Sequence, residues 1–158
     1  MSIRTATHDD IGRIGALFAQ LGYPNTPTQL TKRLAQAQTD DSMRVLVAES
    51  DGTVIGVAVV HVITPLHVPD SWALLSALVV DDTYRSGGVG AALLQAAEAF
   101  AKAQGCAQLE LSSNVARTRA HRFYERHGYR EKRMRFVKSL DASSMAKINL
   151  IPIGKIKV

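Results

Sequence analysis

The stretch Ala77 to Ala91, A-L-V-V-D-D-T-Y-R-S-G-G-V-G-A, limits the possible folds more than any other part of the chain. Leu78-Val79-Val80 has the length and branching of a buried strand. Acidic turn residues follow, then Arg85-Ser86-Gly87-Gly88-Val89-Gly90, then a helical pattern of Val89, Leu93, Leu94, Ala97, Phe100 and Ala101. Strand, glycine-rich bend and helix in succession predict a crossover to a parallel strand. Glycine lets the backbone bend tightly and lets a ligand approach it. The first amides of such a helix have no intrahelical partners and face outward at its positive end, a site suited to phosphate oxygens. Three glycines alone describe a plain loop equally well.

With 158 residues, the chain is long enough for one domain with a proper core. The single cysteine, Cys106, excludes an internal disulfide framework and supports neither a zinc site nor redox pairing. The first residues lack the layout of a signal peptide, and no apolar run approaches a membrane span. A cytoplasmic location without membrane association is the expectation. The net charge of +5 is unevenly spread. Residues 1–114 hold seven Lys/Arg against eleven Asp/Glu, whereas residues 115–140 hold nine basic residues against two Glu. That region would attract nucleic acid if presented as a patch. Its basic residues interleave with Ala120, Phe123 and Tyr124, however, as on a solvated amphipathic helix. A small phosphorylated ligand is favoured over nucleic acid.

In order, Ser2–Ala6 predicts a first strand, and Thr7-His8-Asp9-Asp10 matches a capping box. Ile11, Ile14, Leu17, Phe18 and Leu21 then recur at helical spacing up to Gly22. A second helix is predicted over Thr28–Gln38. Two β-rich runs, Met43–Glu49 and Thr53–Val62, flank the hairpin signal Asp51-Gly52. Gly56 inside the second predicts a bulge or a close backbone approach. Trp72–Val80 and Gln108–Ser112 read as strands, with helices over Gly88–Gln104 and Thr118–His127. Tyr129–Leu140 predicts one or two final strands. The fold class is therefore α/β, of the α+β mixed-sheet kind, with about six to seven strands and about four helices. Residues 1–140 form the domain. The tail 141–158 is β-prone but broken by Pro152 and Gly154; it could pack on its own domain, join a neighbouring subunit, or stay unstructured.

Two segments together carry a family resemblance. Arg85-Ser-Gly-Gly88-Val-Gly90 fits the signature R/Q-x-x-G-x-G/A, directly after an apolar strand. Ser112 to Tyr129 supplies a second motif, with Phe123-Tyr124 near a helix end before Gly128-Tyr129. Over residues 2–140 the chain resembles the GNAT superfamily of N-acetyltransferases. The pattern from Glu110 through A-H-R-F-Y to Arg135–Leu140, with His61, Leu66-His67 and Trp72, is similar to the aminoalkylphosphonate N-acetyltransferases. The resemblance implies acetyl transfer from acetyl-CoA to the primary amine of a small molecule by direct attack in a ternary complex. It places the pantetheine arm along Leu78, Val79 and Val80. The pyrophosphate falls on the loop formed by Arg85, Ser86, Gly87, Gly88, Val89, Gly90 and Ala91, with Asn114 near the cleft. A homodimer is implied as well.

The chemistry asks for a base, a donor to the carbonyl oxygen and an acid for the leaving thiolate. The resemblance gives the acid role to Tyr124, which from its residues alone reads as a core side chain on a helix before a glycine cap. A main-chain amide near Leu78 or Val79 would serve the oxygen. Trp72–Leu78 contains no carboxylate, unlike many relatives, so the candidate bases are His61 and His67, or a water relay through Glu110 or Ser76. The missing carboxylate also suits an acyl-CoA sensor without turnover. A protein N-terminus or lysine is the other acceptor class.

Overall fold

The computed structural model describes residues 1–112, 118–132 and 135–141, together with the backbone of 155–157. Asp51 and Gly52 reverse the chain with positive φ at both positions, 50° and 74°, as a two-residue hairpin turn requires. They join β2 (Met43–Ser50) to β3 (Thr53–Ile63), which pair antiparallel from Met43↔His61 to Ser50↔Thr53. β1 (Ser2–Thr5) adds antiparallel to β2, and β4 (Ser71–Val80) antiparallel to β3. After the crossover helix α3 (Val89–Ala103), β5 (Cys106–Leu111) runs parallel to the first half of β4. The sheet order is thus β1-β2-β3-β4-β5.

The expected six to seven strands exceed these five. Among the described residues the one addition is a three-residue piece, β6 (Lys155–Lys157), which also pairs with β4. Tyr129–Leu140 forms no strand among its described residues. Arg130, Glu131 and Lys132 are exposed, and so are Phe136 and Leu140, at 90% and 95%. Without a buried face, alternation has nothing to specify.

Helices cover both sides of the sheet, so its central strands read as nearly continuous apolar runs. Against α1 (Ile11–Leu21) and α2 (Pro27–Gln38) lie Val45, Val47, Val57 and Val79. On the opposite side, Leu46, Ala48, Ala58 and Leu78 meet Leu93, Leu94 and Ala97 of α3 and Phe123 of α4 (Thr118–Arg126). Leu93 and Leu94 are fully buried, each contributing about 1.5–3 kcal/mol relative to exposure. α1 ends at Gly22, whose φ is 100°.

Two irregularities shape the sheet. Between β2 and β3 the register steps from Ala48↔Gly56 to Glu49↔Val54. There α3 comes so close that a Cβ on Gly56 would lie 2.9 Å from Leu93 Cδ1. Gly56 therefore marks both a register step and a close approach. Between β3 and β4 the register passes from Val60↔Leu75 to Val59↔Ala77, leaving Ser76 as an extra residue on β4. Ala73 and Leu75 before it, and Leu78 and Val80 after it, all face the α3 side.

Candidate active site

The loop after β4 is built on Asp81. Its carboxylate accepts from the Thr83 amide (3.0 Å), the Thr83 hydroxyl (2.8 Å) and the Arg13 guanidinium (2.9 Å). These bonds, the Thr83 amide foremost, hold its carboxyl well below the usual carboxylate range. The chain then turns through Ser86 (φ 71°) and Gly88 (φ 81°), left-handed positions that Gly88 adopts without strain. The hydrogen-bond ladder of α3 begins with Ala92 donating to Gly88 (3.1 Å), so the amides of Val89, Gly90 and Ala91 precede it. Arg119 of α4 donates to the Ser86 hydroxyl at 2.6 Å and ties loop to helix.

Between loop and helix lies a groove of about 540 Å³, lined by Arg85, Ser86 and Gly88 on one side and Arg119, Arg122 and Arg126 on the other. These arginines recur three and four residues apart and so share one face of α4. The solvated amphipathic helix expected from the sequence thus turns its basic face to the loop after β4. The spacing carried that signal, but nothing in the chain said which element the face would meet. Arg85 is folded back: its Nε donates to the Val80 carbonyl (3.3 Å) and its guanidinium pairs with Asp82. A helix start and arginines around one groove suit the oxygens of a phosphate group.

Leu78, Val79 and Val80 are buried at the C-terminal half of β4. Pairing with β5 runs from Ser71 to Leu75, opposite Leu111, and stops at Ser76. That is where β5 itself ends. Beyond that point, β6 pairs parallel with Ala77, Leu78 and Val79.

His61 and Ser76 meet across the step in register, with His61 Nε2 at 2.7 Å from the Ser76 hydroxyl. When Nδ1 carries the proton, Nε2 accepts from that hydroxyl. His61 is half-buried, and this desolvation pushes its pKa below the ordinary 6.5, against a weaker pull from Asp40. His67 lies exposed in the loop between β3 and β4, and Glu110 is exposed and accepts from Gln108 (2.8 Å). Tyr124 is buried, 4% exposed, and makes edge-to-face contacts with Phe123 (5.3 Å) and Tyr129 (5.8 Å). It follows Phe123, which lines the groove. The Tyr129 hydroxyl donates to Glu98 at 2.9 Å, fixing the end of α4 to α3. Asn114 lies outside the described residues. Burial raises the pKa of the Cys106 thiol, which disfavours a thiolate there.

Comparisons with known proteins agree on one family. Residues 14–129 match the family model described as Acetyltransferase (GNAT) family. The chain is 32% identical to the aminoalkylphosphonate N-acetyltransferase of Salmonella typhimurium, over 87% of this chain and 90% of that one. Among solved structures, a putative acetyltransferase from Agrobacterium tumefaciens superposes with a TM-score of 0.80 at 20% identity, over 88% of this chain and 99% of that one. The glucosamine-6-phosphate N-acetyltransferase of Arabidopsis thaliana gives a TM-score of 0.76 at 22% identity, over 89% and 98%. These two show a shared fold. Among the described residues, no helix is long and apolar enough to cross a membrane.

Proposed function

Since the chain belongs to the GNAT family of acetyltransferases, we propose that it moves an acetyl group from acetyl-CoA to the primary amine of a small molecule. The observation that carries this reading is the groove that Gly88, Gly90 and Ala91 at the start of α3 share with Arg119, Arg122 and Arg126. The pyrophosphate takes the amides of Val89, Gly90 and Ala91, and the arginines hold phosphate oxygens. When bound, acetyl-CoA supplies an activated thioester and a thiol leaving group.

The chain supplies the proton handling. Ser76 takes the proton of the acceptor amine through its hydroxyl and passes it to His61, whose lowered pKa keeps the imidazole neutral near pH 7. The amide of Leu78 or Val79 donates to the carbonyl oxygen as charge gathers there. Tyr124 gives its proton to the departing sulfur. A new C–N bond thus replaces the C–S bond, with one proton removed and one delivered. This relay answers the lack of a carboxylate on β4, which otherwise favours a sensor without turnover.

The likeness to an aminoalkylphosphonate N-acetyltransferase makes a small amine bearing an anionic group the acceptor to try first. The test is thiol release from acetyl-CoA across aminoalkylphosphonates, polyamines, amino acids and a lysine peptide. Turnover with a small amine supports the reading. CoA binding without release for any amine points to the sensor instead, and turnover with the lysine peptide alone to protein acetylation.

A further inference from the structure

We propose that residues 155–157 form a self-supplied strand that covers the donor-binding edge of β4 and has to leave before acetyl-CoA binds. The proposal rests on the reading of β4 as the donor strand. β4 shares hydrogen bonds with β5 only as far as Leu75. Past Ser76 its amides and carbonyls on that side need other partners. β6 supplies them in parallel register, Ala77↔Lys155, Leu78↔Ile156 and Val79↔Lys157. These β4 residues lead straight into Val80 and the phosphate loop.

The pantetheine arm of CoA is an extended chain with amide groups. To lie along Leu78 and Val79 it must use the same N–H and C=O groups, and one strand edge cannot pair with two chains. β6 is also suited to exchange. It is three residues long, and parallel pairing is less stable per residue than antiparallel. The tail therefore acts as an internal competitor. It weakens donor binding in inverse proportion to the fraction of molecules whose β4 edge is free, and it satisfies that edge when the donor is absent.

The test uses the full chain carrying Ile156→Pro, which removes the amide hydrogen at the centre of β6. Calorimetric titration with CoA is expected to show binding roughly three- to tenfold tighter than in the unaltered protein, with similar circular dichroism. Equal or weaker binding by a folded variant overturns the competitor. If the unaltered protein and the variant both fail to bind CoA, the donor reading falls and this one with it. Hydrogen exchange on the unaltered chain tests the same point independently of the variant. Saturating CoA is expected to protect the loop 85–91 while speeding exchange of amides 155–157. A protected loop with no change at 155–157 overturns the proposal.

Discussion

His61 Nε2 lies 2.7 Å from the hydroxyl of Ser76, on neighbouring strands that change register beside both residues. Burial lowers the folded-state pKa of His61 below 6.5. As pH falls through 6.5, the unfolded chain takes up its proton first, so stability declines between 6.5 and the lower folded value. The relay loses its acceptor once the folded value is passed. The rate kcat is therefore expected to fall on the acid side only below pH 6.5. His61→Gln should lower kcat at pH 7.5 by about a hundredfold and abolish that acid limb. An acid limb that survives the substitution places the base elsewhere.

Tyr124→Phe removes one hydroxyl from a buried ring and leaves its contacts with Phe123 and Tyr129 in place. The expected result is a kcat lower by about a hundredfold, with CoA affinity nearly unchanged. Steady-state rates with parallel calorimetry separate the two. An unchanged kcat removes Tyr124 from proton delivery and leaves it as a core residue.

Arg122→Ala should raise KM for acetyl-CoA about tenfold, the scale of one charge-assisted hydrogen bond, with little effect on kcat. The difference between variant and parent should shrink as salt rises. Arg119→Ala should do more, since it also releases Ser86 from its bond at 2.6 Å. Arginine variants with unaltered KM values would assign the groove to another ligand.

Gly56→Ala tests the contact between α3 and the sheet. The added methyl meets Leu93 Cδ1 at 2.9 Å and the Val79 carbonyl at 3.2 Å, and backbone cannot give way as a side-chain tip can. A loss of about 1–3 kcal/mol is expected, read as a lower midpoint in thermal unfolding. Gly12→Ala, within α1 and with no atom within 4 Å of the new methyl, should instead add up to about 1 kcal/mol.

The elements up to α4 were readable because their signals are local. Asp51-Gly52 forms its turn from two residues, and Gly22 ends α1 where the apolar period stops. The glycine bend before α3 was readable for the same reason. What escaped depends on meetings between distant segments. His61 was a candidate on its own, but its bond to Ser76 follows from a register step that neither strand announces. Arg119, Arg122 and Arg126 show a common face, but that it faces Ser86 and Gly88 is decided by where α4 packs. The strands expected over Tyr129–Leu140 find no surface to bury them: among the described residues Phe136 and Leu140 are exposed. The pairing of β6 with β4 depends on an edge left open because β5 ends opposite Leu75.

Ser76 is surplus to the architecture. Leu75 already pairs with Val60, and Ala77 with Val59, so a chain lacking Ser76 could run through this point with uninterrupted alternation. Leu75 and Leu78 would still face α3, and Val79 would still face α1 and α2. One position in β4 can thus be deleted at small cost to either core. What that deletion would remove is the hydroxyl beside His61, and with it the proposed proton relay.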